Sequence, residues 1–297
     1  MHSNKAIIVR FWGTRGSIPT PGPGTVIFGG NTVCIEVDCS DDSLIILDSG
    51  TGIRLLGYDI MRRQVRKIKL FITHTHWDHI QGLPYFAPFY HPDCEIDVYG
   101  PLYYGKTFED VLSVQMDHFF FPVQQKELRA AIRYHDLKEG DCIQFPGLSI
   151  QTKFMNHPVI TLGYKLIFDQ GTVTFTGDHE PYSLFQHHDN TSIKELKQQM
   201  EDNIIDFIRD TDYLVMEAQY SAHEYETRQG WGHSSFISTL QTAHAAKVKH
   251  LYIIHHDPDH SDAFLKDTEL RLKQHVHDKL DNAFKVQIAR EGSSFVV

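Results

Sequence analysis

The stretch Lys69-Leu70-Phe71-Ile72-Thr73-His74-Thr75-His76-Trp77-Asp78-His79 decides how this 297-residue chain is read. Its apolar start predicts a strand over 69–72, which delivers the histidines and the aspartate into a loop at the strand's C-terminal end, where α/β folds place their chemistry. His74 and His76 are two apart, so on extended backbone both imidazoles point the same way and can reach one ion. Asp78 and His79 turn toward a second. Mixed histidine and carboxylate donors suit Zn2+, with Mn2+ or Fe2+ as alternatives.

Further donors stand where apolar runs end: His157 after TKFMN, Asp178 after VTFTG and His255 after LYII. Singly, each reads as a turn residue; their order after the first cluster gives them weight. His256 competes with His255, but neighbours in a strand face opposite ways, so one of the two coordinates easily.

Around the cluster, 6–12 reads as a strand followed by a Gly/Pro-rich loop, TRGSIPTPGPG, that fits neither helix nor central strand. Strands are expected at 32–38, 44–48, 95–99, 130–134, 148–155, 161–168 and 172–176, and helices near 53–63, 194–209, 234–247 and 262–280. Two groups of strands, each followed by helices, suit an α/β chain built as a four-layer αββα sandwich. No linker or repeat interrupts it, so one domain over 1–297 is expected, with a helical insert at 182–210 as a lid or dimer surface.

Composition narrows the partners. Formal net charge is −10, and Lys and Arg form no long run. The stretch Arg62, Arg63, Arg66, Lys67, Lys69 reads as a solvated helix end, which argues against a large nucleic-acid ligand. A small phosphate ester stays open, because a metal pair can hold it without a basic surface. The four cysteines, Cys34, Cys39, Cys94 and Cys142, show no Cys-x-x-Cys spacing, which weakens zinc-finger and thioredoxin-like readings. Cys34 and Cys142 are expected in the core. No charged-then-apolar leader and no apolar stretch of about 18 residues is present, so a cytoplasmic protein without membrane partners is expected.

His-x-His-x-Asp-His at 74–79, followed by Asn156-His157-Pro158, Thr176-Gly177-Asp178 and Ile254-His255-His256, resembles the metallo-β-lactamase superfamily over nearly the whole chain. The resemblance implies that fold's αββα sandwich and two divalent ions. His74, His76 and His157 would hold one ion, Asp78, His79 and His255 the other, and Asp178 would bridge them. Trp231-Gly232-His233-Ser234-Ser235 is similar to the Gly-His-Ser-Thr element of ribonuclease Z and cyclic phosphate phosphodiesterases. The opening FWGTRGSIPTPGP, GGN at 29–31 and LDSGTG at 47–52 are similar to the same branch.

The plainer readings differ in strength. Against the ordered cluster, a histidine-rich surface loop is a poor alternative. His233 alone could simply cap a helix; the resemblance makes it a proton donor to a leaving group, with Glu217 in LVMEAQY behind it. Asp48 reads as support for the histidine loop rather than as a ligand. Phe119-Phe120-Phe121 and the aromatics of 84–90 could stack a base, but core packing or a subunit interface, as in a homodimer, is the preferred reading.

The function expected is that of a dinuclear metal-dependent hydrolase, foremost a phosphodiesterase acting on a small cyclic phosphodiester, a cyclic nucleotide or a ribosyl cyclic phosphate. Asp178 follows His157 by only 21 positions, whereas ribonuclease Z places a long tRNA-gripping arm in the corresponding interval. A tRNA 3′-processing endonuclease is thus disfavoured. A lactonase or thioesterase on the same metals is the alternative, and a non-enzymatic metal-binding module a more distant one.

Overall fold

The computed structural model describes residues 6–39, 43–182 and 191–297. The chain forms two compact units, Met1–Lys138 with Arg290–Val297, and Glu139–Ala289.

The first unit is built on β1 (Ile8–Gly13), β2 (Cys34–Asp38), β3 (Ser43–Leu47), β4 (Lys67–Phe71), β5 (Glu95–Pro101) and β6 (Ala131–Leu137). With the C-terminal strand Ser294–Val296 beside β1, they make a seven-stranded sheet in chain order. The strands from β1 to β3 are antiparallel and those from β3 to β6 parallel. Leu44 to Leu47 are all buried, as a central strand covered on both faces requires. Helix α1 (Ile53–Arg63) buries Ile53, Leu56, Gly57 and Ile60, the spacing of one helical face. It ends at Gln64 in a left-handed cap, φ 60°. The short helices α2 (Trp77–Ile80) and α3 (Phe108–Ser113) follow β4 and β5.

The second unit holds β7 (Cys142–Phe145), β8 (Leu148–Met155), β9 (Thr161–Phe168), β10 (Thr172–Phe175), helix α4 (Thr191–Ile208), β11 (Tyr213–Glu217), α5 (Ala222–Tyr225), α6 (Phe236–Ala245), β12 (His250–Ile254), α7 (Asp262–Lys279) and β13 (Lys285–Ile288). Its seven strands also lie in chain order, antiparallel from β7 to β10 and parallel from β10 to β13. Two successive antiparallel pairings turn β8 into the direction of β10. The C-terminal ends of β8, β10, β11 and β12 therefore open on one edge of this sheet, and they lead to His157, Asp178, Glu217 and His255.

The strands at 148–155 and 161–168 and the helix at 53–63 fall where the periodicity predicts them. The insert expected at 182–210 contains α4, while residues 183–190 lie outside the described residues. Three expectations are corrected. Cys142 is exposed on β7, because that strand is four residues long at a sheet edge. Phe119 and Phe120 are 81% and 68% exposed rather than core; they lie outside helix and strand, just beyond α3, where no sheet covers them. Arg63 is not simply solvated: its guanidinium binds Asp59, Glu36 and Asp38. No helix among the described residues is long and apolar enough to cross a membrane.

Glu36, fully buried on β2, accepts from Arg10 at 2.7 Å, the Trp12 indole at 2.7 Å and Arg63 at 2.6 Å. Glu36→Gln sets an NH2 group against these donors and is expected to lower unfolding free energy by about 1–3 kcal/mol, read from urea denaturation. A loss below about 0.5 kcal/mol, the level of an ordinary surface substitution, would refute this anchoring role.

Candidate metal centre

In the first unit β3 and β4 end side by side, Leu47 opposite Phe71, and Asp48, just past β3, meets Thr73, two residues past β4. Asp48 Oδ1 accepts from the Thr73 amide at 2.7 Å, and Oδ2 accepts from the Thr73 hydroxyl at 2.9 Å and His79 Nδ1 at 2.7 Å. Burial raises the Asp48 carboxyl pKa, and His79 and Thr73 pull it back. A carboxylate only accepts, so His79 carries its proton on Nδ1 and its lone pair on Nε2. The single Thr73 hydroxyl proton goes to Asp48, so at His74 Nδ1, 3.0 Å away, the hydroxyl accepts. His74 is then also an Nδ1–H tautomer with its lone pair on Nε2. One buried carboxylate sets two rings.

The turn below is as specific. Ser49 donates to the His79 carbonyl through both its amide, at 2.8 Å, and its hydroxyl, at 3.0 Å. At Gly50 a side chain has no room, since a Cβ would lie 2.4 Å from the Asp78 carbonyl oxygen. Asp78 Oδ2 accepts from the Ser17 amide at 2.7 Å, so the Gly/Pro-rich loop braces that carboxylate. The rings of His76 and His79 lie 4.7 and 4.2 Å from that of His74.

In the second unit Asp178 is central. Its Oδ2 lies 3.8 Å from His157 Nε2 and 3.9 Å from His233 Nδ1, and its Oδ1 lies 3.4 Å from His255 Nε2. His157 Nδ1 faces the Gly232 carbonyl at 2.9 Å. A carbonyl only accepts, so here too the lone pair is on Nε2. The His233 ring stacks on His255 at 4.9 Å. Glu217 Oε1 is 3.8 Å from His233 Nδ1, beyond hydrogen-bond reach, and accepts instead from the Ser234 amide at 2.6 Å. Burial and the neighbouring Asp178 charge hold the Glu217 carboxyl well above its usual range. His256 turns away and donates from Nε2 to the Ala289 carbonyl at 2.9 Å. His179, fully buried, accepts from the Asn156 amide on Nδ1 at 3.1 Å, and burial, then His157, press its pKa down to about 3.

These donors fit a metal. His79 Nε2 and Asp78 Oδ2 stand 3.4 Å apart, and His157 Nε2 and Asp178 Oδ2 3.8 Å. In each pair two lone-pair-bearing atoms face one another in a dry place, which is unfavourable unless a cation joins them. Two donors on one tetrahedral zinc ion stand about 3.3 Å apart.

A family model described as the β-lactamase superfamily domain matches residues 43–256. The chain belongs to that superfamily. Ribonuclease Z of Bacillus thuringiensis (strain Al Hakam) is 24% identical over 323 residues, covering 97% of this chain and 98% of the relative. In structure the chain is similar to the metallo-β-lactamase fold protein YhfI from Bacillus subtilis, with TM-score 0.69, 16% identity and 99% and 100% of the two chains covered. Unliganded yeast PDE1 matches with TM-score 0.68, 14% identity and 98% and 99% covered. The αββα metallo-β-lactamase fold expected from the sequence is thus the fold of this chain, a hydrolase of that superfamily with a His/Asp set suited to a divalent metal.

Several groups of this superfamily member were not singled out in the sequence. Thr73 relays Asp48 to His74, and Ser17 braces Asp78. Thr73 could have been suspected, as the last residue between the strand and the first histidine. The Ser17 contact is made by a backbone amide, and no side-chain motif announces it.

Asp48→Asn sets an NH2 group against the donors of Thr73 and His79. It is expected to weaken zinc binding about 10–100-fold, measured by competition with a chromophoric chelator; wild-type affinity would show that Asp48 does not set these rings.

Proposed function

We propose that this chain is a dinuclear metal-dependent phosphodiesterase acting on a small cyclic phosphodiester, a cyclic nucleotide or a ribosyl cyclic phosphate. His74, His76 and His157 would hold one divalent ion and Asp78, His79 and His255 the other, with Asp178 as a further ligand. Zinc suits this donor set best. Such ions, when bound, supply a nucleophilic water at neutral pH and polarise phosphoryl oxygens.

The remaining steps fall to the chain's own side chains. Asp178 orients the attacking water through its carboxylate. His233 gives a proton to the leaving alkoxide, on which negative charge collects as the P–O bond breaks. The observation that carries this reading is His233 Nδ1 lying 3.9 Å from Asp178 and 3.8 Å from Glu217. Stacked on His255 and beside Asp178, the His233 ring stands where a proton donor to the leaving oxygen is needed.

A small ester is favoured over a large RNA. The interval from His157 to Asp178 is taken up by the antiparallel pair β9 and β10, leaving no arm to grip a tRNA, and net charge is −10. The relative's name, ribonuclease Z, denotes an enzyme that cleaves RNA, and supports phosphodiester over lactone or thioester chemistry.

The test is metal content together with hydrolysis of bis(p-nitrophenyl) phosphate, of 2′,3′- and 3′,5′-cyclic nucleotides and of a lactone panel, with Asp178→Ala as the inactive control. His233→Ala is expected to lower kcat for the phosphodiesters about 10²–10⁴-fold. Full activity in that variant would remove His233 from the mechanism, and lactone turnover without phosphodiester turnover would overturn the substrate class.

A further inference from the structure

Immediately after Asp178 and His179 comes Glu180, which is buried yet is not among the proposed ligands. Its Oε1 accepts from the Tyr225 hydroxyl at 2.6 Å and the Gly230 amide at 2.8 Å, and its Oε2 from the Gly232 amide at 2.7 Å. Such bonds to a buried carboxylate are charge-assisted, and roughly twice as strong as neutral ones. The groups it grips lie on the segment from α5 to His233.

Gly232 occupies a left-handed conformation, φ 90°, and a Cβ there would lie 2.4 Å from His157 Nδ1. Its carbonyl accepts a hydrogen bond from His157 Nδ1. The backbone of Glu180 is tied to the residue before His157: its amide donates to the Asn156 carbonyl at 2.9 Å, and the Asn156 side chain donates to the Glu180 carbonyl at 2.6 Å. A closed circuit results, running from Glu180 through Gly232 to His157 and back through Asn156. Ser234, on the far side of His233, is held as well, its hydroxyl donating to the His179 carbonyl at 2.6 Å.

We infer that Glu180 is a positioning residue of the metal centre: by anchoring the 225–232 segment it fixes the tautomer of His157 and the placement of His233. This rests on the ligand set proposed above. Without the two amide anchors the Gly232 carbonyl drifts from His157, and the ring is then free to put its proton on Nε2, the nitrogen that faces Asp178. A purely structural role would lower stability and leave the metal's ligand field unchanged.

The full chain loaded with cobalt(II) separates these roles. Glu180→Gln keeps length and one acceptor oxygen but sets an NH2 group against an amide donor. It is expected to weaken cobalt affinity about 10–100-fold in chelator competition and to alter the visible d–d spectrum. Leu272→Ala, a buried change on α7, is the control: it should lower the melting temperature and leave spectrum and affinity as in wild type. Wild-type spectrum and affinity in Glu180→Gln would overturn the inference. If that variant does not fold, Glu180→Asp decides, since it keeps the charge but shortens the reach to the Gly230 and Gly232 amides; an altered spectrum supports the inference and a wild-type one overturns it. A wild-type chain that binds no cobalt overturns the ligand set and this inference together. Cobalt binding without phosphodiester turnover defeats the substrate reading alone.

Discussion

A hydrogen bond on the far side of an imidazole decides what its near side can do. Asp48 accepts a hydrogen bond from His79 Nδ1 directly and sets the Nδ1 proton of His74 through Thr73. In the other unit the Gly232 carbonyl does the same for His157. Each ring then presents an Nε2 lone pair, the form in which histidine binds a cation. If these partners were lost, the same residues could stand at the same positions and still offer a proton where a metal needs electrons. The donor set is therefore a matter of proton placement as much as of residue type.

The fold supplies this placement through strand direction. Asp48 and His74 follow neighbouring parallel strands, His157, Asp178 and His255 follow strands that all run one way, and Glu217 ends a fourth strand of that direction. Side chains just past a strand end are no longer committed to the pleat, yet their backbone is held in register by the sheet. The register pairs Glu217 with Ile254, which fixes the level of His255 relative to Glu217 before any side-chain contact forms. Chemistry in this chain thus lies on the first residues that the sheet positions but does not bury in its own packing.

The sequence makes some of this readable. The periodicity of 148–155 and 161–168 marks long half-buried strands, and the spacing of Ile53, Leu56 and Ile60 marks one helical face; the structure has elements with those bounds. Short edge strands such as Cys142–Phe145 and Lys285–Ile288 carry too few residues for a period to emerge. The candidate site divides the same way. The ordered His/Asp motifs are legible because their residue types are rare in that pattern. Ser17 is illegible because it acts through its backbone amide, and Glu180 because the groups its carboxylate grips, the Gly230 and Gly232 amides, lie some 50 residues away in the chain. Exposure of Phe119 and Phe120 was equally hidden, since an aromatic run says nothing about whether a sheet will cover it.

Some of the site's residues take a left-handed backbone conformation, as do Gln64 and Lys247 away from it. Ser17, Asp48 and His255 have φ of 63°, 59° and 65°, a region that costs a non-glycine residue about 1–2 kcal/mol. Each contributes to the donor set: Ser17 through its amide on Asp78, Asp48 through His79, and His255 through its own ring beside Asp178. An extended continuation of β12 would keep His255 on the strand's alternation, with its side chain committed to a face of the sheet. The left-handed turn at this residue breaks that alternation, and His256 then reaches the Ala289 carbonyl. Strain of this kind persists only where surrounding contacts over-determine it. The ladder from β11 to β13 and the bond from Ala289 to the Ile253 carbonyl do so here. A sheet rigid on both sides of β12 can hold one residue in a costly conformation, and that is how one of two adjacent histidines is aimed at Asp178 while the other is held in the scaffold.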